Sequence, residues 1–289
     1  MTVTQMLDFD SLWNYDDPAA TELQFRQLLP SAETRGDASY HAQLLTQIAR
    51  AQGLQRQFDA AHQTLDQAAK LLTDNLHTAH IRLLLERGRV LNSSGNSDEA
   101  HPLFLQAWEL AQVGQEDFYA IDAAHMLAIV SPSDEQMQWN LKALALAESS
   151  TQPRARKWLG SLYNNIGWTY HDAGQHSEAR DVFEKALRYR LEQAEPSTIR
   201  IAKWCVARTL RSLGRTQEAL DQQFALLADH QAAGSSDGYV SEEIGECLLE
   251  LGRTDESRPY FAQAYAELSK DQWLVANEAA RLERLKSLS

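Results

Sequence analysis

From Leu159 to Arg190 the chain reads LGSLYNNIGWTYHDAGQHSEARDVFEKALRYR, and its apolar positions recur with a helical period. Ile166, Gly167 and Tyr170 share one helical face, Gly174 interrupts the run, and Ala179, Phe183 and Ala186 follow at i, i+4 and i+7. This pattern predicts two helices joined by a tight turn and packed face to face. Small residues at Gly167, Ala179 and Ala186 let the backbones approach, while Tyr163, Tyr170 and Phe183 fill the space around them.

The pattern repeats. Turns between paired helices are predicted near Arg56, Gly95, Ser131, Gly174, Gly214 and Gly252, a mean step of about 39 residues. Each first helix then carries a small residue (Ala49, Gly88, Ala124, Gly167, Ala207, Gly245). The matching positions in the second helices are Ala61, Ala100, Gln136, Ala179, Ala219 and Ser257. The third unit departs most, with Gln136 and Asn140 where small and aromatic residues are expected, although Ser131 followed by Pro132, Asp134 and Glu135 predicts a capped helix start. Pro153 and Pro196 are each predicted to open a first helix.

Before the array, Asp17-Pro18 predicts a capped helix, and Leu7, Phe9, Leu12 and Trp13 are predicted to dock on the first helices. After it, Leu282, Leu285 and Leu288 line one side of a predicted terminal helix over 274–288. The Gly234–Gly238 connection reads as a solvated loop, with a hinge between the fifth and sixth units as the alternative. The domain expectation is therefore an N-terminal segment and capping helix over 1–36, six units over 37–270, and a C-terminal capping helix over 271–289.

The order of small, large, aromatic and small residues resembles the tetratricopeptide (TPR) repeat, in its longer-helix, bacterial-type form. The resemblance implies an all-α, right-handed superhelical solenoid of about six helix-turn-helix units, and a binding rather than catalytic function. In such stacks the first helices line a concave groove, and the residue after each unit's small residue points into it. Here that column is Arg50, Arg89, His125, Trp168, Arg208 and Glu246. Four residues earlier come Thr46, Leu85, Ile121, Asn164, Trp204 and Glu242, and three later Gly53, Asn92, Ala128, His171, Arg211 and Leu249. The first five units contribute four arginines, two histidines, two tryptophans and no acid. The groove is expected to be basic and aromatic, with Arg50, Arg89, His125, Asn164, Trp168, His171, Arg208 and Arg211 as ligand-binding residues. The other reading pairs these arginines with acids of neighbouring helices and puts the tryptophans in the core. The lysine and asparagine pattern by which some members clamp a peptide's C-terminal carboxylate is not matched by Thr46, Leu85, Arg50 and Arg89, so that specificity is not implied.

Composition narrows the partner. With 27 basic and 40 acidic side chains the net charge is −13, which argues against nucleic acid or an anionic membrane as partner. The basic groove on an acidic chain points to an acidic protein or peptide segment held by an adaptor or regulator. The alternatives are a homo-oligomeric scaffold and a sensor of a small anion. Cys205 and Cys247 fall inside predicted helices and are expected to be buried free thiols. The N-terminus lacks the basic and apolar regions of a leader and no run has the length of a membrane span, so a cytoplasmic location is expected. No enzymatic activity is expected. His171 and Asp172 are adjacent and point in different helical directions, and no phosphate loop or nucleophile motif occurs. No cofactor or metal is expected either: His77 with His80, or His171 with His176, lack the further ligands a metal requires.

Overall fold

The computed structural model describes residues 8–289, the side chains of Ser133 and Asp134 excepted. The described residues are all-helical and divide at Trp158/Leu159 into two compact bodies. The N-terminal body opens with a 3-10 turn, Phe9–Leu12, and helix α1 (Pro18–Arg35). Three helical hairpins follow, α2 (Ala38–Leu54) with α3 (Phe58–Leu71), α4 (His77–Ser93) with α5 (Ser97–Val113), and α6 (Asp117–Val130) with α7 (Ser133–Ser149), and then a single turn, α8 (Pro153–Arg156). The C-terminal body pairs α9 (Leu159–Asp172) with α10 (His176–Gln193), α11 (Pro196–Ser212) with α12 (Thr216–Ala232), and α13 (Gly238–Glu250) with α14 (Thr254–Leu268). It ends in α15 (Gln272–Asn277) and α16 (Ala279–Leu288).

Five of the six predicted turns share one closure. Arg56, Gly95, Gly174, Gly214 and Gly252 all have positive φ, and the N–H that follows each donates to the carbonyl five residues back, as Gln175 does to Tyr170 at 2.9 Å. This satisfies carbonyls left over at the helix end and reverses the chain within a few residues. Arg56 adopts the left-handed conformation without being glycine, at a cost of about 1 kcal/mol. The third turn differs because Pro132 follows an extended Ser131. Pro132, not Ser131, takes the cap position of α7, and the buried Ser131 hydroxyl meets no partner among the described residues.

Within the hairpins, volume is complemented across the helix pair in an alternating way. In the second, fourth and sixth hairpins a glycine of the first helix faces a fully buried phenylalanine: Gly88 with Phe104, Gly167 with Phe183, Gly245 with Phe261. A Cβ on these glycines would lie 2.5, 2.4 and 2.9 Å from the ring. In the first, third and fifth hairpins the small residue is alanine (Ala49, Ala124, Ala207), and the position of the phenylalanine holds Leu65, Asn140 or Gln223. Asn140 Oδ1 and both amide atoms of Gln223 are buried without a partner among the described residues, which weakens the third and fifth hairpins.

The ends are covered as expected, with two differences. Asp17 caps α1 through the Ala20 N–H at 3.0 Å, and Phe9 and Trp13 pack edge-on against Phe25. Leu7 lies outside the described residues. Leu282 and Leu285 are buried, but the predicted single terminal helix is broken at Glu278, whose backbone leaves the helical region. Pro153 opens only the four-residue α8, and the first helix of the fourth hairpin begins at Leu159. Asp237 accepts from the Tyr239 N–H at 2.9 Å and Ser235 N–H bonds to His230 at 3.0 Å, which fixes the loop before α13. Both cysteines are free and buried, and burial pushes the Cys205 thiol up to about 12. Among the described residues no helix is long and apolar enough to cross a membrane.

Two substitutions measure the hairpin contact. Gly167→Ala gains up to about 1 kcal/mol of helix propensity but forces the Phe183 ring to move, which costs about 1–3 kcal/mol, so a net loss in denaturant melts is expected. Phe183→Ala is expected to cost about 3–5 kcal/mol. A Gly167→Ala protein as stable as the parent would show that the contact is not tight.

Candidate functional site

In the N-terminal body the first helices of successive hairpins touch, α2 on α4 and α4 on α6. Their shared face carries Arg50, Arg89 and His125. The arginines do not stand free. Arg50 donates to Glu86 at 3.2 Å, and Arg89 donates to the same Glu86 oxygen at 2.8 Å and, more closely still, to Asp122. Glu86 and Asp122 are 3% and 5% exposed, so each needs its cation. Burial alone would raise the Asp122 pKa, yet Arg89 and then Arg50 hold this carboxyl below its ordinary value. His125 stacks obliquely on Trp158, and burial lowers its pKa. Thr46 and Ile121, expected on the groove, are buried in the packed interior instead, and Leu85, also buried, lines the cavity described next.

A neighbouring set of side chains, absent from the expected site, completes this face. Arg82 is 5% exposed and grips Asp10 in bidentate fashion at 2.6 and 2.9 Å, while also donating to the Tyr119 hydroxyl at 2.9 Å. Arg154 of α8 donates to the same Asp10 at 2.8 Å and lies over the Phe118 ring, 3.9 Å from its centroid. Burial would raise the Asp10 pKa, but the two guanidiniums override it and hold the carboxyl low. Trp13 Nε1 donates to Gln47 at 3.0 Å, and the Arg50 guanidinium lies over the Trp13 and Tyr15 rings. Together these groups line a cavity of about 210 Å³ with four arginines, three carboxylates and the rings of Trp13, Tyr15, Phe118, Tyr119 and Trp158.

In the C-terminal body Asn164, Trp168, His171, Arg208 and Arg211 occupy the corresponding helices, α9 and α11. Trp168 meets the rings of His171, Phe183 and Trp204 at 5.0, 5.2 and 5.8 Å. Trp204 is half-buried and its Nε1 donates to the Tyr239 carbonyl at 3.2 Å. Arg208 donates to Ser212 at 2.6 Å and pairs with Glu243 at 3.0 Å. Arg211 grips Glu243 at 2.9 and 3.1 Å and reaches Glu250 at 2.6 Å. His171 Nε2 lies 2.9 Å from the Ser212 hydroxyl, while its Nδ1 is 3.6 Å from Asp172, beyond hydrogen-bond length. Burial first, then the Arg208 charge, lowers the His171 pKa. Glu242 and Glu246 are bound by Arg281 and Arg284 of α16.

The arginines thus follow the other sequence reading, pairing with acids of neighbouring helices. The particular acids were not named because they lie in a column three residues before the expected one: Gln47, Glu86, Asp122, Asn165, Cys205, Glu243. Each arginine reaches the acid of the next hairpin, at separations of 36 (Arg50 to Glu86), 33 (Arg89 to Asp122) and 32 (Arg211 to Glu243) residues. One repeat length between an arginine and an acid is a readable signal. Arg82, Arg154 and Asp10 have no such signature, since Arg82 and Arg154 meet Asp10 at separations of 72 and 144 residues. Among the described residues no three His, Cys, Asp or Glu side chains converge to hold a metal.

A tetratricopeptide-repeat family model matches residues 159–192, the α9–α10 hairpin. No curated protein matches the sequence. Solved structures share the fold. The apo form of RapI is 13% identical with a TM-score of 0.72, over 91% of this chain and 75% of that one. A signal-transduction ATPase with a tetratricopeptide-repeat sensor from Pyrococcus horikoshii is 16% identical with a TM-score of 0.70, over 97% of this chain and 44% of that one. NprR in complex with its cognate peptide NprX is 16% identical with a TM-score of 0.55, over 96% of this chain and 81% of that one. At these identities the likeness is one of fold. The α9–α10 hairpin thus matches a tetratricopeptide repeat, and the chain shares the helical-hairpin fold of these tetratricopeptide-repeat structures.

Arg89→Ala is expected to cost about 3–5 kcal/mol in denaturant melts, because Glu86 and Asp122 would lose their shared cation while buried. The exposed Arg215→Ala should leave the melt unchanged, since its Glu218 partner is solvated. For His171, the folded protein resists protonation that the unfolded chain accepts. NMR titration should give a midpoint below the 6.5 of a free imidazole, with this residue's contribution to stability lost as pH falls through that value. A midpoint at or above 6.5 would contradict the burial argument.

Proposed function

We propose that the chain is a non-catalytic interaction module, an adaptor or regulator, that holds an acidic segment of a partner protein or peptide against the first-helix face of its hairpins. The observation that carries this reading is the chain's own Asp10. An acidic side chain flanked by Phe9 and Trp13 already lies between Arg82 and Arg154 and among aromatic rings. A partner segment that pairs a carboxylate with an aromatic residue has the same chemistry, and the forked guanidiniums suit it. Arg50 and Arg154 are the more accessible arginines of this face, at 26% and 48% side-chain exposure, and are the ones a ligand would meet first. Arg89, Arg208 and Arg211 act as supports, since each is committed to buried Glu86, Asp122 or Glu243. His125 supplies a further ring contact on the N-terminal body, and Asn164, Trp168 and His171 offer polar and ring contacts on the first helix of the C-terminal body, taken by itself. NprR, solved with a bound peptide, and the repeat sensor of the archaeal ATPase make a regulatory, peptide- or protein-binding role a natural one for this fold.

A random peptide library displayed on phage and selected on the full chain tests this. Selected peptides should be enriched in Asp or Glu near an aromatic residue, and should bind the Arg50→Ala, Arg154→Ala double variant at least about tenfold more weakly. They should bind Asp10→Asn several-fold more tightly, because the resident carboxylate no longer competes. A selected pool without acidic bias, or one bound equally by the double variant, would overturn the proposal.

A further inference from the structure

The C-terminal body contains a second cavity, of about 220 Å³, built on different chemistry. It lies between the first turns of α9, the end of α10 and the start of α11. Its polar lining includes Ser161, Asn164, Arg190 and Thr198, its apolar side Ile201 backed by Phe183, and no carboxylate lines it. Arg190 is half-buried and, unlike the arginines above, has no carboxylate partner among the described residues; its ring contact is with Tyr189 at 6.0 Å.

Two features show that this guanidinium is seated rather than stray. Gly160 lies directly beneath it, and a Cβ there would come within 2.2 Å of Cζ and 2.4 Å of Nε and Nη2. Glycine weakens a helix, and here its missing side chain is the space the guanidinium occupies. Beside it, the Cys205 thiol donates to Asn164 Oδ1 at 3.5 Å, which orients the amide and leaves its NH₂ group as a donor. Ser161 adds an exposed hydroxyl, and Ile201 stands 56% exposed at the rim.

One positive charge, neutral donors and an apolar wall fit a monoanion attached to a hydrocarbon body. A phosphate dianion would find too few cations and no use for the wall. We propose that this cavity binds a small monocarboxylate, with the carboxylate held by Arg190, Asn164 and Ser161 and its hydrocarbon part against Ile201. The carboxylate can come from a free acid or from the end of a peptide. The site shares no residue with the arginine-rich cavity of the N-terminal body; Asn164 alone also enters the function proposed above, and the Arg190 and Gly160 variants test this site apart from it.

Isothermal titration and ¹H–¹⁵N NMR on the full chain test it, with hexanoate, hexanamide, inorganic phosphate and a short leucine-terminated peptide as probes. Hexanoate should bind saturably and shift the Asn164 side-chain amide and the Arg190 Nε–H, while hexanamide and phosphate should do neither. Arg190→Gln should weaken binding about tenfold or more, and Gly160→Ala, which displaces the guanidinium but keeps the charge, should weaken it too. Tighter binding of the peptide than of hexanoate, lost on amidation, would assign the site to peptide ends, and the reverse order to free acids. The shifts in the unmodified protein decide the matter should either variant fail to fold. Absence of saturable shifts with both carboxylates, phosphate binding as tight as hexanoate, or binding retained in both variants would overturn the proposal.

Discussion

Each hairpin depends on how closely its two helices approach, and that distance is set by one pair of positions. Where the first helix offers glycine, the second presents a phenylalanine whose ring fills the space a Cβ would take, as Gly167 and Phe183 do. Where it offers alanine, the partner position is smaller or polar, Leu65, Asn140 or Gln223. Packing at interior density allows either combination but not a mixture of the larger members of both. The remaining features, turn closure and the register of the faces, follow once that separation is fixed.

A second interaction connects one hairpin to the next. Arg50, Arg89 and Arg211 each reach across to the acid of the following hairpin, and at the end Arg281 and Arg284 of α16 reach back to Glu242 and Glu246 of the last one. Buried or half-buried carboxylates are costly alone and tolerable with a forked cation, so this ladder fixes which arginines are available to a ligand and which are structural. It also accounts for a face that is rich in arginine in a chain of net charge −13 without being a bare basic surface. The two cavities show the contrast. One is lined by four arginines balanced by three acids, and the other holds a single arginine with none.

Much of this was legible in the chain itself. The helical period, the turn glycines at Gly95, Gly174, Gly214 and Gly252, the small residues at each crossing and the Asp17 cap are local signals, because each depends on residues within a turn or two of one another. They determined an all-helical array of hairpins, and the residue after each small residue picked out Arg50 and Arg89, which share a face of the N-terminal body. Local signals also misled where a single residue was given too much weight: Ser131 looked like a cap, but Pro132 took that position. Thr46 and Ile121 shared a helical direction with the groove, yet packing between successive first helices buried them.

Tertiary structure alone decided which charges meet. Arg89 and Asp122 are 33 residues apart, and Asp10 and Arg154 are 144 apart. Contacts at such separations leave no trace in local periodicity, since they are set by stacking of hairpins and by the path of the N-terminal segment across them. The same is true of Arg190, which in the sequence is one arginine among several near the end of a helix. Its place beside Gly160, thirty positions earlier, is created only when α9 and α10 close on each other. Sequence periodicity determined the elements and their faces because those are short-range properties of a helix. The partners of the charged side chains were decided by the fold because a charge is satisfied by whatever lies within a few ångströms in space, however distant it is along the chain.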